Sequence, residues 1–70
     1  MSRKRRLQKS HYNIGDLVIL LNEYEGVNPG HVYMVADPYK YGPLYKIKVT
    51  EPNDQDKKMR IPSKYLKRIK

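Results

Sequence analysis

The chain has 70 residues, a formal net charge of +8 and no cysteine, and its only aromatic side chains besides two histidines are seven tyrosines. A chain this short buries only about 60% of the surface its unfolded form exposes, which fits one domain with a small core and argues against a deep catalytic cleft. The missing cysteines exclude disulfide frameworks, thiolate catalysis and cysteine zinc sites, while the longest apolar run, Leu17 to Leu21, is too short to cross a bilayer.

Charge is unevenly placed. Residues 1–9 carry five basic and no acidic side chains, residues 10–39 four acidic and no basic ones, and residues 40–70 ten basic against three acidic. The opening stretch has one large apolar residue, Leu7, among its cations, so it cannot bury enough surface to offset its ordering entropy. It reads as a flexible basic arm over 1–12, with no signal-peptide apolar region, ahead of a folded domain over 13–70. Gly15-Asp16 marks a turn before the β-branched run Leu17–Leu21, the first strand. Residues 22–31 form a loop, punctuated by Gly26, Pro29 and Gly30, in which Asn28-Pro29-Gly30-His31 suits a type II turn. Val32–Ala36 reads as a second strand closed by Asp37-Pro38. After the loop Tyr39–Pro43, the segment Leu44–Val49 alternates cleanly, with Tyr45, Ile47 and Val49 expected in the core and Lys46 and Lys48 outside. Glu51–Asp56 has no hydrophobic residue and reads as a turn, followed by a fourth strand, Lys57–Ile61, with Met59 and Ile61 inward. Pro62–Leu66 suits a 3₁₀ turn, and Lys67–Ile69 a short closing strand. Five short strands separated by turns predict an all-β fold, a small five-stranded barrel that closes its own edges.

Gly15-Asp16 before the first strand, a long irregular loop, a hairpin and the terminal Pro62-Ser63-Lys64-Tyr65-Leu66 together resemble the SH3-like barrel over about residues 13–70. Gly15-Asp16-x-Val18 with Gly26, Gly30 and Val32 is also similar to the KOW-type barrels of ribosomal and transcription-elongation proteins, which implies loops that engage RNA or polymerase. Peptide-binding SH3 domains use a tryptophan that this chain lacks. Of their proline-peptide groove, only Pro62, Tyr65 and an acidic loop, Glu23-Tyr24-Glu25, have counterparts here.

No constellation for catalysis stands out, and neither a cofactor nor a metal is expected. His11 and His31 have no second ligand at metal-binding spacing, Asn53-Asp54-Gln55-Asp56 lacks the glycine and distant glutamate of a calcium loop, and no serine has a recognisable histidine and acid. The basic residues carry the information. If Ile47 pairs with Met59, then Lys48 faces Lys58 and Lys46 faces Arg60, and directly opposed like charges are destabilising unless a polyanion joins them. Tyr39 and Tyr41, beside that hairpin, are candidate stacking residues, and Arg3, Lys4, Arg5 and Arg6 a mobile arm reaching for phosphates or acting as a nuclear-import signal. The expected function is therefore non-enzymatic binding of nucleic acid, DNA or RNA, through sequence-independent phosphate contacts. The alternative is a small adaptor or regulator, of viral type, that binds a protein such as a host RNA polymerase subunit through Glu23, Tyr24, Glu25, Pro62 and Tyr65. A reader of modified lysine built on an aromatic cage is a third possibility. The expected state is a monomer in the cytoplasm, at the nucleoid or nucleus if the ligand is DNA, without membrane contact.

Overall fold

The computed structural model describes residues 8–69. They build five strands, β1 (Leu17–Leu20), β2 (Val32–Tyr41), β3 (Lys46–Glu51), β4 (Asp54–Pro62) and β5 (Leu66–Arg68), with a 3₁₀ turn at Ser63–Tyr65. All neighbours are antiparallel, in the order β4-β3-β2-β1-β5. The fold is all-β, as the alternation predicts. The expected barrel closure is not found: β4 and β5 remain the two edges of one open sheet. They share a core instead, since Ile61 of β4 and Leu66 of β5 belong to the same buried cluster.

That cluster draws Val18 and Leu20 from β1, Tyr33 and Val35 from β2, Ile47 and Val49 from β3, Ile61, Leu66 and, from the segment ahead of β1, Tyr12. Within β1, β2 and β3 the residues of this cluster are two apart, the period of a sheet with one face turned to the core. A single sheet can enclose such a face only by bending on itself, and β2 supplies the bend. Its pairing with β3 slips twice, between Val35 and Asp37 and again between Asp37 and Tyr41. Pro38 sits in this irregular stretch, where the amide it lacks is not missed. The strand therefore does not end at Asp37-Pro38 but runs on to Tyr41.

The free side of this distal half of β2 is occupied by the chain's own beginning. Ser10 N–H donates to Pro38 O (2.9 Å), Lys40 N–H donates to Gln8 O (2.8 Å), and Lys9 bridges Tyr39. Tyr12 is buried and donates its hydroxyl hydrogen bond to Leu66 O (2.8 Å), tying this segment to β5. Residues 8–12, expected in the flexible arm, are thus packed parts of the fold. Their apolar content is low, and it is backbone pairing together with one aromatic side chain that holds them. The rest of the expected arm, residues 1–7 with Arg3, Lys4, Arg5 and Arg6, lies outside the described residues.

Three turns carry their sequence signals. Asp16 N–H donates to Asn13 O (3.0 Å) across a turn whose third residue is Gly15 at φ +94°, and Gly30 also takes a positive φ, as the type II reading requires. Tyr24 and Val27 exchange backbone hydrogen bonds across Glu25-Gly26, both at positive φ, the type I′ pattern of a tight hairpin. At the β2–β3 connection, Tyr45 N–H donates to Gly42 O (3.1 Å) and Tyr45 itself adopts φ +55°. That left-handed residue interrupts the alternation, so Tyr45 is exposed rather than in the core. In β4 the polar Asp54–Asp56 joins the strand, leaving only Pro52-Asn53 as the turn. An edge strand tolerates such composition because one of its sides faces water.

Thr50 Oγ1 is buried without a hydrogen-bond partner among the described residues. An unpaired buried hydroxyl costs about 1–3 kcal/mol, so Thr50→Val should raise the urea midpoint, by roughly 1 kcal/mol in stability. Tyr12 makes the opposite case. Burial raises its pKa above the ordinary 10.0, with Arg68 opposing and Asp16 adding to the rise. The raised value means its contribution is fully present below about pH 10 and is lost as pH climbs through the folded-state pKa. Tyr12→Phe should cost about 1 kcal/mol at neutral pH and reduce the loss of stability between neutral and strongly alkaline pH. Truncation through Tyr12 should abolish cooperative thermal unfolding, since deleting a buried aromatic costs about 3–5 kcal/mol in a domain with little margin.

Candidate nucleic-acid interface

The outer face of the β3–β4 hairpin is where the strand period places the cations. Ile47 pairs with Ile61 and Val49 with Met59 on the core side, which sets Lys48 opposite Arg60, Thr50 opposite Lys58 and Lys46 opposite Pro62. The expected pairing, Ile47 with Met59, is two residues out of register. The shift preserves parity, so Lys46, Lys48, Lys58 and Arg60 still share the outer face, but only one like-charge pair, Lys48 with Arg60, is directly opposed. Apolar matching of two isoleucines and the short Pro52-Asn53 turn decide the register.

Among the described residues the ion pairs are His31 with Glu51 (2.9 Å) and Arg68 with Asp16 (3.4 Å), so none of those four cations has a carboxylate within 4.0 Å. Two of them are held by aromatic rings. The Arg60 guanidinium lies 4.7 Å from the centre of the Tyr41 ring, and the Lys46 ammonium 5.7 Å from that of Tyr24. Tyr41 in turn donates its hydroxyl to Asp37 Oδ2 (3.0 Å), and that hydrogen bond, ahead of burial and the aspartate charge, raises its pKa. Lys46 is raised as well, first through the Tyr24 hydroxyl and further by Glu25. Both side chains therefore keep their neutral pH forms, phenol and ammonium.

The four cations fall into two groups. Lys46 and Arg60 line a hollow with Tyr41 and the Gly42–Leu44 turn. Lys48 and Lys58 line another with Lys9, Tyr39 and the Asn13–Ile14 turn. Of the two tyrosines singled out for stacking, Tyr41 already has a ring face occupied by Arg60, whereas Tyr39 is 43% exposed. Its backbone N–H donates to Asp37 Oδ1 (3.0 Å), which fixes the residue while leaving the ring available.

The candidate protein-binding residues are also partly gathered. Tyr24 and Tyr65 meet edge to face at 5.8 Å, and the Lys64 ammonium stands 5.9 Å from the Tyr65 ring centre. Pro62 is fully buried and Glu23 and Glu25 are exposed. Lys46 belongs to both sets, since it reaches from the basic face to Tyr24. The histidines take separate places: His11 stacks at 4.4 Å on Tyr12, and His31 Nε2 approaches both Glu51 carboxylate oxygens at 2.9 and 3.0 Å.

Lys9, Ile14, Leu44 and Tyr45 were not among the expected site residues. Leu44 and Tyr45 are exposed at the hairpin tip, and Ile14 is 73% exposed. An isoleucine set between Asn13 and Gly15 in a turn is the one such signal visible beforehand. Compared with known proteins, the chain matches no family model, no curated protein sequence and no solved structure. Its surface chemistry is then the main guide to its role. Among the described residues no helix is long and apolar enough to cross a membrane.

The position of Lys48 between Arg60 and Asp37 generates a prediction in which binding changes and stability does not. Lys48 faces Arg60 on β4 and Asp37 on β2, so Lys48→Glu exchanges one like-charge cross-strand pair for another, and the thermal midpoint should stay within about 0.5 kcal/mol of the parent in stability. A ligand that uses this face as a polyanion site should bind the same variant more weakly.

Proposed function

We propose that this protein is a non-enzymatic nucleic-acid-binding domain whose affinity comes mainly from phosphate contacts on the outer face of the β3–β4 hairpin. One observation carries the proposal: Lys46, Lys48, Lys58 and Arg60 share one sheet face with no carboxylate within 4.0 Å among the described residues, beside tyrosines that hold or flank them. A cross-strand Lys–Arg pair is disfavoured in isolation and is relieved when an anion bridges it. Clustered cations with aromatic neighbours form the footprint expected of a nucleic-acid binder. The strand number, the turn order and the Pro62–Leu66 turn support an SH3-like architecture left open between its edge strands.

A second use is favoured by a different contact. The Tyr24–Tyr65 pair, with Lys46 and Lys64 at its rings, forms an aromatic surface on which a protein ligand could dock, tyrosines being favoured at interfaces for their rigid amphipathic rings. Such a ligand would make the chain an adaptor.

Titration of labelled DNA and RNA across a series of salt concentrations distinguishes the two. Phosphate binding predicts that log affinity falls linearly with log salt, with a slope of about 0.9 per neutralised phosphate on duplex DNA and about 0.7 on a single strand. Replacing Lys46, Lys48, Lys58 and Arg60 by serine should weaken binding alike for all sequences and flatten that slope. A salt-independent interaction, or a serine variant that binds as the parent does, contradicts the proposal. Loss of a protein ligand on Tyr24→Ala, with no nucleic-acid binding in the parent, establishes the adaptor instead.

A further inference from the structure

We infer that the preferred ligand is an unpaired strand, which lies in a trough between the Asn13–Asp16 turn and the outer face of β2, β3 and β4. A base would rest on Tyr39 and Ile14, and the backbone phosphates on Lys9, Lys48 and Lys58. This rests on the nucleic-acid reading above and adds the form of nucleic acid and the place of binding.

The trough consists of two hollows, of about 640 and 570 Å³, which share Ile14, Ala36 and Lys58 and so form one continuous path along the sheet. A path suits a linear ligand better than a compact one. Its walls are rigid where they matter. The Asn13–Asp16 turn is anchored from both sides: Gly15 N–H donates to Val35 O (2.9 Å), Val35 N–H to Asp16 O (2.9 Å), and Asn13 N–H to Asp16 Oδ2 (2.8 Å). On this turn Ile14 is 73% exposed and lines the trough. Tyr39 lines the same hollow from β2, so the wall offers an aromatic ring and an aliphatic side chain together.

The charges complement a phosphate backbone. Lys9, Lys48 and Lys58 come from three separate segments and line one hollow. Lys9 spends one of its three donors on Asn13 Oδ1 (3.0 Å), leaving two for a ligand. Asp37 is the carboxylate of that hollow, and both its oxygens already accept hydrogen bonds, from the Tyr39 N–H and the Tyr41 hydroxyl; Asp56 lines the adjoining hollow, which Lys9 and Lys48 do not. Ion pairs with the lysines do not neutralise the site among the described residues.

The apolar wall is what separates single strands from duplexes. A duplex keeps its base faces stacked on one another and can offer this surface only phosphates, whereas an unpaired base exposes a face to Tyr39. Stacking one base on an exposed aromatic is worth about a fivefold to hundredfold gain in affinity.

Fluorescence anisotropy tests this with a short labelled single strand of mixed sequence, its duplex, and polyglutamate of the same charge. The expected result is single-strand binding about tenfold tighter than duplex binding, a preference that Tyr39→Ala removes while duplex affinity changes little and that Tyr39→Trp retains. Ile14→Ser should reduce it in part. Both residues are exposed, and unchanged melting curves will show that the variants are folded. Equal or tighter duplex binding overturns the inference, as does a Tyr39→Ala variant that weakens single strand and duplex alike or neither. Polyglutamate binding as tightly as the single strand would show a general polyanion surface and overturn it too. If neither nucleic acid binds, the nucleic-acid reading itself fails.

Discussion

One sheet must provide both the inside and the outside of this molecule, and the bend in β2 makes that possible. A sheet buries its apolar face against another layer or against itself, and no second layer is present among the described residues. The two pairing slips around Asp37 and Pro38 let one ten-residue strand serve two directions, pairing with β1 early and with residues 8–10 late while β3 follows along its other side. The remaining architecture depends on this bend. Ile61 and Leu66, from opposite edges, reach one core although their strands do not pair. Tyr12 closes the open side, and its hydroxyl satisfies the Leu66 carbonyl at the point where β5 begins.

Consequences for the surface follow from the same geometry. Since successive side chains alternate across a strand, burying Ile47, Val49 and Ile61 obliges Lys46, Lys48 and Arg60 to face outward together. The resulting repulsion is moderated by local partners: Arg60 lies against Tyr41, Lys46 against Tyr24, and Lys48 faces Asp37 across β2 and β3. Asp37 serves both the bend and the surface. Its backbone sits at the slip in pairing, while its two carboxylate oxygens orient Tyr39 and Tyr41. A change at Asp37 would therefore disturb strand curvature and tyrosine placement together.

Much of this was legible in the chain. Alternation over Leu44–Val49 and the spacing of glycines and prolines depend on neighbours within a few residues, and they located all five strands and the principal turns. The same parity put Lys46, Lys48, Lys58 and Arg60 on one face even though the anticipated register was two residues off. Where local pattern misled, an identifiable competing effect was responsible. Tyr45 follows the alternation of Ile47 and Val49 on paper, yet its left-handed backbone turns it to solvent. Asp54–Asp56 has the composition of a loop, yet pairing at an edge makes it strand.

Local chemistry alone thus determined the all-β class, the element order and the side of the sheet that carries the charge, because side-chain period and turn preference operate over short stretches of chain. Tertiary structure decided the open edges, the pairing register, the packing of residues 8–12 and the meeting of Lys9, Ile14, Tyr39, Lys48 and Lys58 around one trough. Those features join residues tens of positions apart. They depend on how far β2 bends and on which apolar pairs match best across strands, quantities that no window of sequence contains.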